Sequence, residues 1–176
     1  MMATIEHVIR AVSRALMACS AASIAVMALL VAYSTLMRYG IGDSLSITSE
    51  LASFLLVACI FMALPYAAIE GQHIKLTLFT STLSPNTMVV IELVTYSVAF
   101  LFFCLLTKLT FDFAYTGYLL NSHTETAYLY EAPWRAILPV VSFWMAIVLF
   151  FFCVKRAILI RTMVQSGGRA TLEDLS

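Results

Sequence analysis

Ala15–Met37 reads ALMACSAASIAVMALLVAYSTLM, an uncharged run of 23 residues closed by Arg14 before it and Arg38 after it. A helix rising 1.5 Å per residue over that length covers about 34 Å, enough to cross a hydrocarbon core of roughly 30 Å. The pattern recurs. Leu51–Ile69, LASFLLVACIFMALPYAAI, lies between Glu50 and Glu70. A third stretch, Asn86–Thr107, is interrupted only by Glu92, and a fourth, Ala136–Val154, runs from Arg135 to Lys155. These runs predict an all-α integral membrane protein with four transmembrane helices, at about 15–37, 51–69, 86–107 and 136–154. The whole chain, 1–176, reads as one membrane domain with a tail at 155–176.

The bulk composition agrees. Of 176 residues, 62% are hydrophobic and 11% charged, against roughly 45–50% and 25% in an ordinary soluble domain. So large an apolar surplus cannot be hidden in one small core. Ten Lys/Arg balance ten Asp/Glu, which argues against nucleic acid as a partner, since a phosphate backbone calls for a basic face. The first run is too long for the 7–15-residue apolar region of a signal peptide, so it is expected to remain as a span.

Orientation follows from Lys and Arg. Arg10, Arg14, Lys75, Lys155, Arg156, Arg161 and Arg169 fall on one side, and Arg38, Lys108 and Arg135 on the other. Both termini are therefore expected in the cytoplasm (N-in/C-in). The opposite loop carries Tyr115, Tyr118, Tyr128, Tyr130 and Trp134, rings that suit a headgroup layer. Between the second and third helices, Ile74, Leu78 and Leu83 fall near helical spacing and predict a short amphipathic segment in the interface. Ser84-Pro85 reads as the start of the third helix. Lys108 and Asp112, four apart, are positioned to pair if that helix continues.

No catalytic, cofactor or metal site emerges. Cys19, Cys59, Cys104 and Cys153 fall one per span at different depths, too dispersed for one zinc or for disulfides. His7, His73 and His123 all lie outside the spans, where they cannot serve as axial ligands to a haem within the bundle. Glu92 alone is ionisable well inside a span. An intramembrane carboxylate suggests ion coupling, but Glu92 lies about one and a half turns from Asn86, within reach of the interface or a neighbouring cation. All six glycines fall outside the four runs, so the paired Gly/Pro breaks from which transporters build midplane sites are missing. The first helix carries a small-residue face, Ala11, Ala15, Ala18, Ala21, Ala22, Ala25 and Ala28, which could pack within the chain or against a larger partner.

The chain resembles the small permease (DctQ-type, Q) subunit of tripartite ATP-independent periplasmic (TRAP) transporters. The resemblance rests on the length, the four spans, Arg38, Glu50 and above all Glu70-Gly71-Gln72-His73-Ile74-Lys75-Leu76. In that last stretch Gly71, His73 and Ile74 match the family's pattern. Thr77 stands where an Asp is common, and Ala63-Leu64-Pro65 departs from a glycine-containing turn. Pro133-Trp134 with Pro139 is similar to the family's opening of span four, at closer spacing.

The resemblance implies a multi-pass subunit of the bacterial inner membrane. Its partners would be the lipid bilayer, a large M-type permease subunit and a periplasmic substrate-binding protein. The system would be a sodium-coupled symporter of organic acids such as sialic acid or dicarboxylates, with the small subunit bracing the large one. Arg38, Glu50, Glu70, His73, Glu92 and Trp134 are then candidate helix-end or subunit-interface residues. The alternatives are a stand-alone small transporter using Glu92 and a structural four-span protein unrelated to transport.

Overall fold

The computed structural model describes residues 2–40, 47–70, 85–125 and 127–165. Four helices account for nearly all of them: α1 (Met2–Gly40), α2 (Ile47–Glu70), α3 (Pro85–Leu119) and α4 (Ala132–Gln165). Each is long and apolar enough to cross a membrane. The expected amphipathic segment between α2 and α3, and His73 within it, lie outside the described residues.

The helices run past the uncharged stretches, because backbone hydrogen bonding continues wherever nothing stops it. The largest difference is in α3. It extends twelve residues beyond Thr107, so Lys108, Asp112, Tyr115, Gly117 and Tyr118 are helical and not part of a loop. The Lys108–Asp112 pair is not among the ion pairs formed by the described residues. What stops α3 is a local device. Asn121 takes a left-handed φ of 46°. Its N–H donates to the Tyr118 carbonyl at 3.2 Å, and the Ser122 N–H donates to the Gly117 carbonyl at 3.0 Å. This is a Schellman closure, with Asn in the position usually held by glycine.

Packing is pairwise. α1 lies on α2, α3 on α4, and the two hairpins meet through α2 and α4. α4 is the hub: 44% of its most apolar stretch is buried, against 6% for α1 and α3. Its small and branched side chains, Val141, Ala146, Val148 and Leu149, fill the centre. Pro65 and Pro139 are both buried inside continuous helices. Each lacks an N–H and so frees a carbonyl one turn earlier.

α1 buries only a narrow seam. Ile9, Ser13, Ser20 and Ser34 are buried, and Leu16, Ser23, Met27, Leu30 and Met37 are half-buried between them. The alternating three- and four-residue spacing is that of helices crossing at a shallow angle. Serine suits such a seam: it is small, and it can hydrogen-bond across it. Ser20 Oγ donates to the Cys59 carbonyl at 2.7 Å, and Trp144 Nε1 of α4 donates to Ser13 Oγ at 3.2 Å. The alanines take the other side. Ala11, Ala15, Ala18, Ala21, Ala22, Ala25 and Ala28 are all exposed, so they do not serve packing within this chain.

Candidate functional site

Polar chemistry gathers at the two ends of the bundle. At one end, the described residues between α3 and α4, 120–125 and 127–131, form a small hairpin. His123 and Tyr130 form an antiparallel bridge. The Thr124 N–H donates to the Leu129 carbonyl at 2.9 Å, and the Glu131 N–H to the Ser122 carbonyl at 3.1 Å. The tip turns at Tyr128, whose φ is 52° and whose ring is 80% exposed. A left-handed φ is costly for a bulky residue, so the surrounding hydrogen bonds must hold it there.

Glu50 holds this hairpin to α2. Thr124 Oγ1 donates to Glu50 Oε2 at 2.6 Å, and the Ala127 N–H donates to Glu50 Oε1 at 3.3 Å. The same Thr124 oxygen accepts the Leu129 N–H at 3.0 Å. One carboxylate thus organises both strands of the turn through charge-assisted bonds. Glu50 also sits in the first turn of α2, where the helix dipole favours a negative charge.

Next to the clamp, Trp134 stacks on Phe54 of α2, with ring centroids 5.4 Å apart and planes 5° from parallel. Arg135 folds back over α3. It pairs with Glu131, lies 4.2 Å from the Phe113 ring centroid and fills the space beside Gly117. A Cβ at Gly117 would stand 2.8 Å from Arg135 Nη1 and 2.9 Å from Cδ. Glycine leaves room for a charged side chain to cross the backbone closely, and any larger residue would have to displace Arg135.

At the other end, Arg156 Nε of α4 lies 2.9 Å from Glu92 Oε2 of α3. Glu92 Oε2 makes no aligned hydrogen bond, so the contact is mainly Coulombic. Tyr96, one turn from Glu92, neighbours both charges and packs against Phe152 at 5.6 Å. Glu6 of α1 lies 3.4 Å from Arg10 and 3.9 Å from Lys155 of α4. Below these charges a cluster of Ile9, Ile69, Val148 and Phe152 joins α1, α2 and α4.

The six residues singled out from sequence therefore separate. Glu50 and Trp134 come together at the hairpin end. Glu92 is at the opposite end with Arg156. Arg38 and Glu70 are exposed at the ends of α1 and α2, and His73 is outside the described residues. Sequence reasoning missed Thr124, Phe54, Arg135, Gly117 and Arg156 as partners. Gly117 left a signal: it interrupts an otherwise glycine-free α3, which marks a close approach. Among the described residues no group of His, Cys, Asp and Glu could hold a metal ion.

A bundle of four membrane-crossing helices, tied at its ends by ion pairs and a hairpin clamp, defines a multi-pass membrane protein. Residues 27–162 match the family of the DctQ component of tripartite ATP-independent periplasmic transporters. The chain belongs to that family, the TRAP small permeases, and is a transporter component, not an enzyme. The match contains the Glu50 clamp, the hairpin and the Glu92–Arg156 pair. A Haemophilus influenzae protein named as a candidate TRAP transporter small permease is 28% identical over 95 residues, which cover 54% of this chain and 57% of the relative. The aligned part is thus little more than half of either. No solved structure matches this chain.

Proposed function

We propose that this small permease braces a large M-type permease subunit in the bacterial inner membrane and forms no solute pathway of its own. The observation that carries this reading is the pairing of Glu92 with a cation. The single carboxylate well inside the uncharged runs, Glu92, faces Arg156, and the helices around it are continuous. A coupling carboxylate has to change partners as the ion moves. A carboxylate locked to a cation on the neighbouring helix serves instead to fix α3 to α4. The exposed alanine side of α1, with Leu29 72% and Leu36 73% exposed, offers the surface on which a partner helix can approach closely.

In this reading the termini are cytoplasmic and the hairpin is periplasmic. The Glu50 clamp then presents Tyr128 to the substrate-binding protein, and Arg38, Glu70 and His73 lie at the border with the large subunit. The transported solute is an organic acid, sialic acid or a dicarboxylate among the options, moved with sodium by the large subunit. The test is uptake by cells carrying the complete transporter with Glu92→Gln in the small subunit. A brace retains most of the uptake; abolished uptake with the complex intact favours a coupling carboxylate. Deleting Ser122–Thr126 should lower uptake if the hairpin meets the binding protein.

A further inference from the structure

We propose that the groove between α3 and α4 seats one glycerophospholipid of the leaflet at the hairpin end, with an acyl chain against its phenylalanines and the phosphate on the Lys108 ammonium. The groove holds about 510 Å³ and is lined by Phe100, Cys104, Lys108, Phe111, Phe143 and Phe150 among others. Its surface is almost wholly apolar, and Lys108 supplies the charge. Phe100 and Phe150 close one end, with ring centroids 5.6 Å apart. Phe111 marks the other end, toward the hairpin.

Three observations select a phospholipid as the occupant. The first is length: from Phe100 to Lys108 along α3 is about 12 Å at the helical rise, and with the lysine stem reaching on toward the headgroups the span is close to one leaflet's half of a hydrocarbon core of about 30 Å. The second is charge. Lys108 is exposed on the groove, and the ion pairs among the described residues are Glu6–Arg10, Glu131–Arg135, Glu6–Lys155 and Glu92–Arg156. Lys108 is in none of them. Asp112, one turn nearer the hairpin, is also exposed and also outside them, which leaves the lysine free for an external anion. The third is polarity along the groove. Its one cation lies in the half toward the hairpin and the Phe100–Phe150 pair closes the half toward mid-membrane, the order of headgroup and chain in a phospholipid. A lysine stem lies along apolar surface while its ammonium reaches toward the headgroups.

The test is native mass spectrometry of the full chain, released from mild detergent after incubation with dioleoylphosphatidylglycerol or with dioleoylglycerol, which has the same chains and no phosphate. The expected result is one retained phosphatidylglycerol per chain and no retained dioleoylglycerol. K108M should lower the retained fraction about tenfold, the effect of losing one charge-assisted contact, while K108R keeps it. Cys104→Trp, which fills the groove, should also remove the lipid. If that variant does not fold, the Lys108 pair still decides. Equal retention by wild type and K108M, or equal retention of the two lipids, overturns the proposal. A photo-crosslinker at position 143 in the assembled transporter should capture phospholipid, and capture of a polypeptide there overturns it as well.

Discussion

The Glu92–Arg156 contact makes a quantitative demand. At 2.9 Å and an effective dielectric of about 20, two unit charges attract by about 6 kcal/mol before desolvation is counted. Their side chains are 25% and 14% exposed, so both have lost much of their hydration, and removing one strands the other. Breaking a buried pair costs about 3–5 kcal/mol. With Glu92 a quarter exposed and no aligned hydrogen bond at its Oε2, the lower end applies, about 3 kcal/mol for Glu92→Ala or Arg156→Met alone. The double variant should cost much less than the sum, because no charge is left unpaired. The assay is a double-mutant cycle by detergent-induced unfolding of reconstituted protein, followed by the fluorescence of Trp144 and Trp134. A coupling energy above about 1.5 kcal/mol is expected. Additive single effects, within about 0.5 kcal/mol, would refute the pairing as a latch between α3 and α4. Arg156→Lys should keep part of the coupling, since the contact depends on charge more than on direction.

Other consequences follow from the hairpin end. Glu50→Ala removes two charge-assisted hydrogen bonds, so amide exchange at Ala127 and Leu129 should accelerate by about tenfold or more, while α3 and α4 stay protected; unchanged exchange would sink the clamp. Gly117→Val should push Arg135 off Phe113 and destabilise the bundle by about 1–3 kcal/mol, whereas Gly117→Val combined with Arg135→Ala should recover part of the loss, as a thermal scan can read. Asn121→Gly should be neutral or slightly stabilising and Asn121→Val destabilising by about 1–2 kcal/mol, an order that equal melting temperatures would contradict.

The four spans could be read directly because the bilayer leaves few choices: a 23-residue uncharged run such as Ala15–Met37 has to be helical and has to cross. Helix ends were harder. Lys108 looks like a boundary by charge, yet α3 continues to Leu119, since a lysine at the interface interrupts no backbone hydrogen bond. The real stop, Asn121, depends on a backbone conformation that composition does not reveal. For α1 the alanines drew attention by their number, but the serines carried the answer. Ser13, Ser20 and Ser34 lie on one seven-residue lattice, and that lattice is the buried seam. The partners of Glu50 and Glu92 were illegible for a different reason. Thr124 lies 74 residues beyond Glu50 and Arg156 lies on another helix from Glu92, so only the packing of the two hairpins brings them together. The place of Glu50 in the first turn of α2 follows from the uncharged run that starts at Leu51; its grip on the hairpin was not legible.

The most direct measurement of the bracing role is affinity recovery of the tagged chain from its native membranes in mild detergent, with mass spectrometry of what accompanies it. The expected result is a large multi-span permease recovered with the wild-type chain and lost when Ala15, Ala22 and Leu29 on the exposed side of α1 are replaced together by tryptophan. A chain recovered without any such partner, and able on its own in vesicles to accumulate the transported acid, would contradict the account.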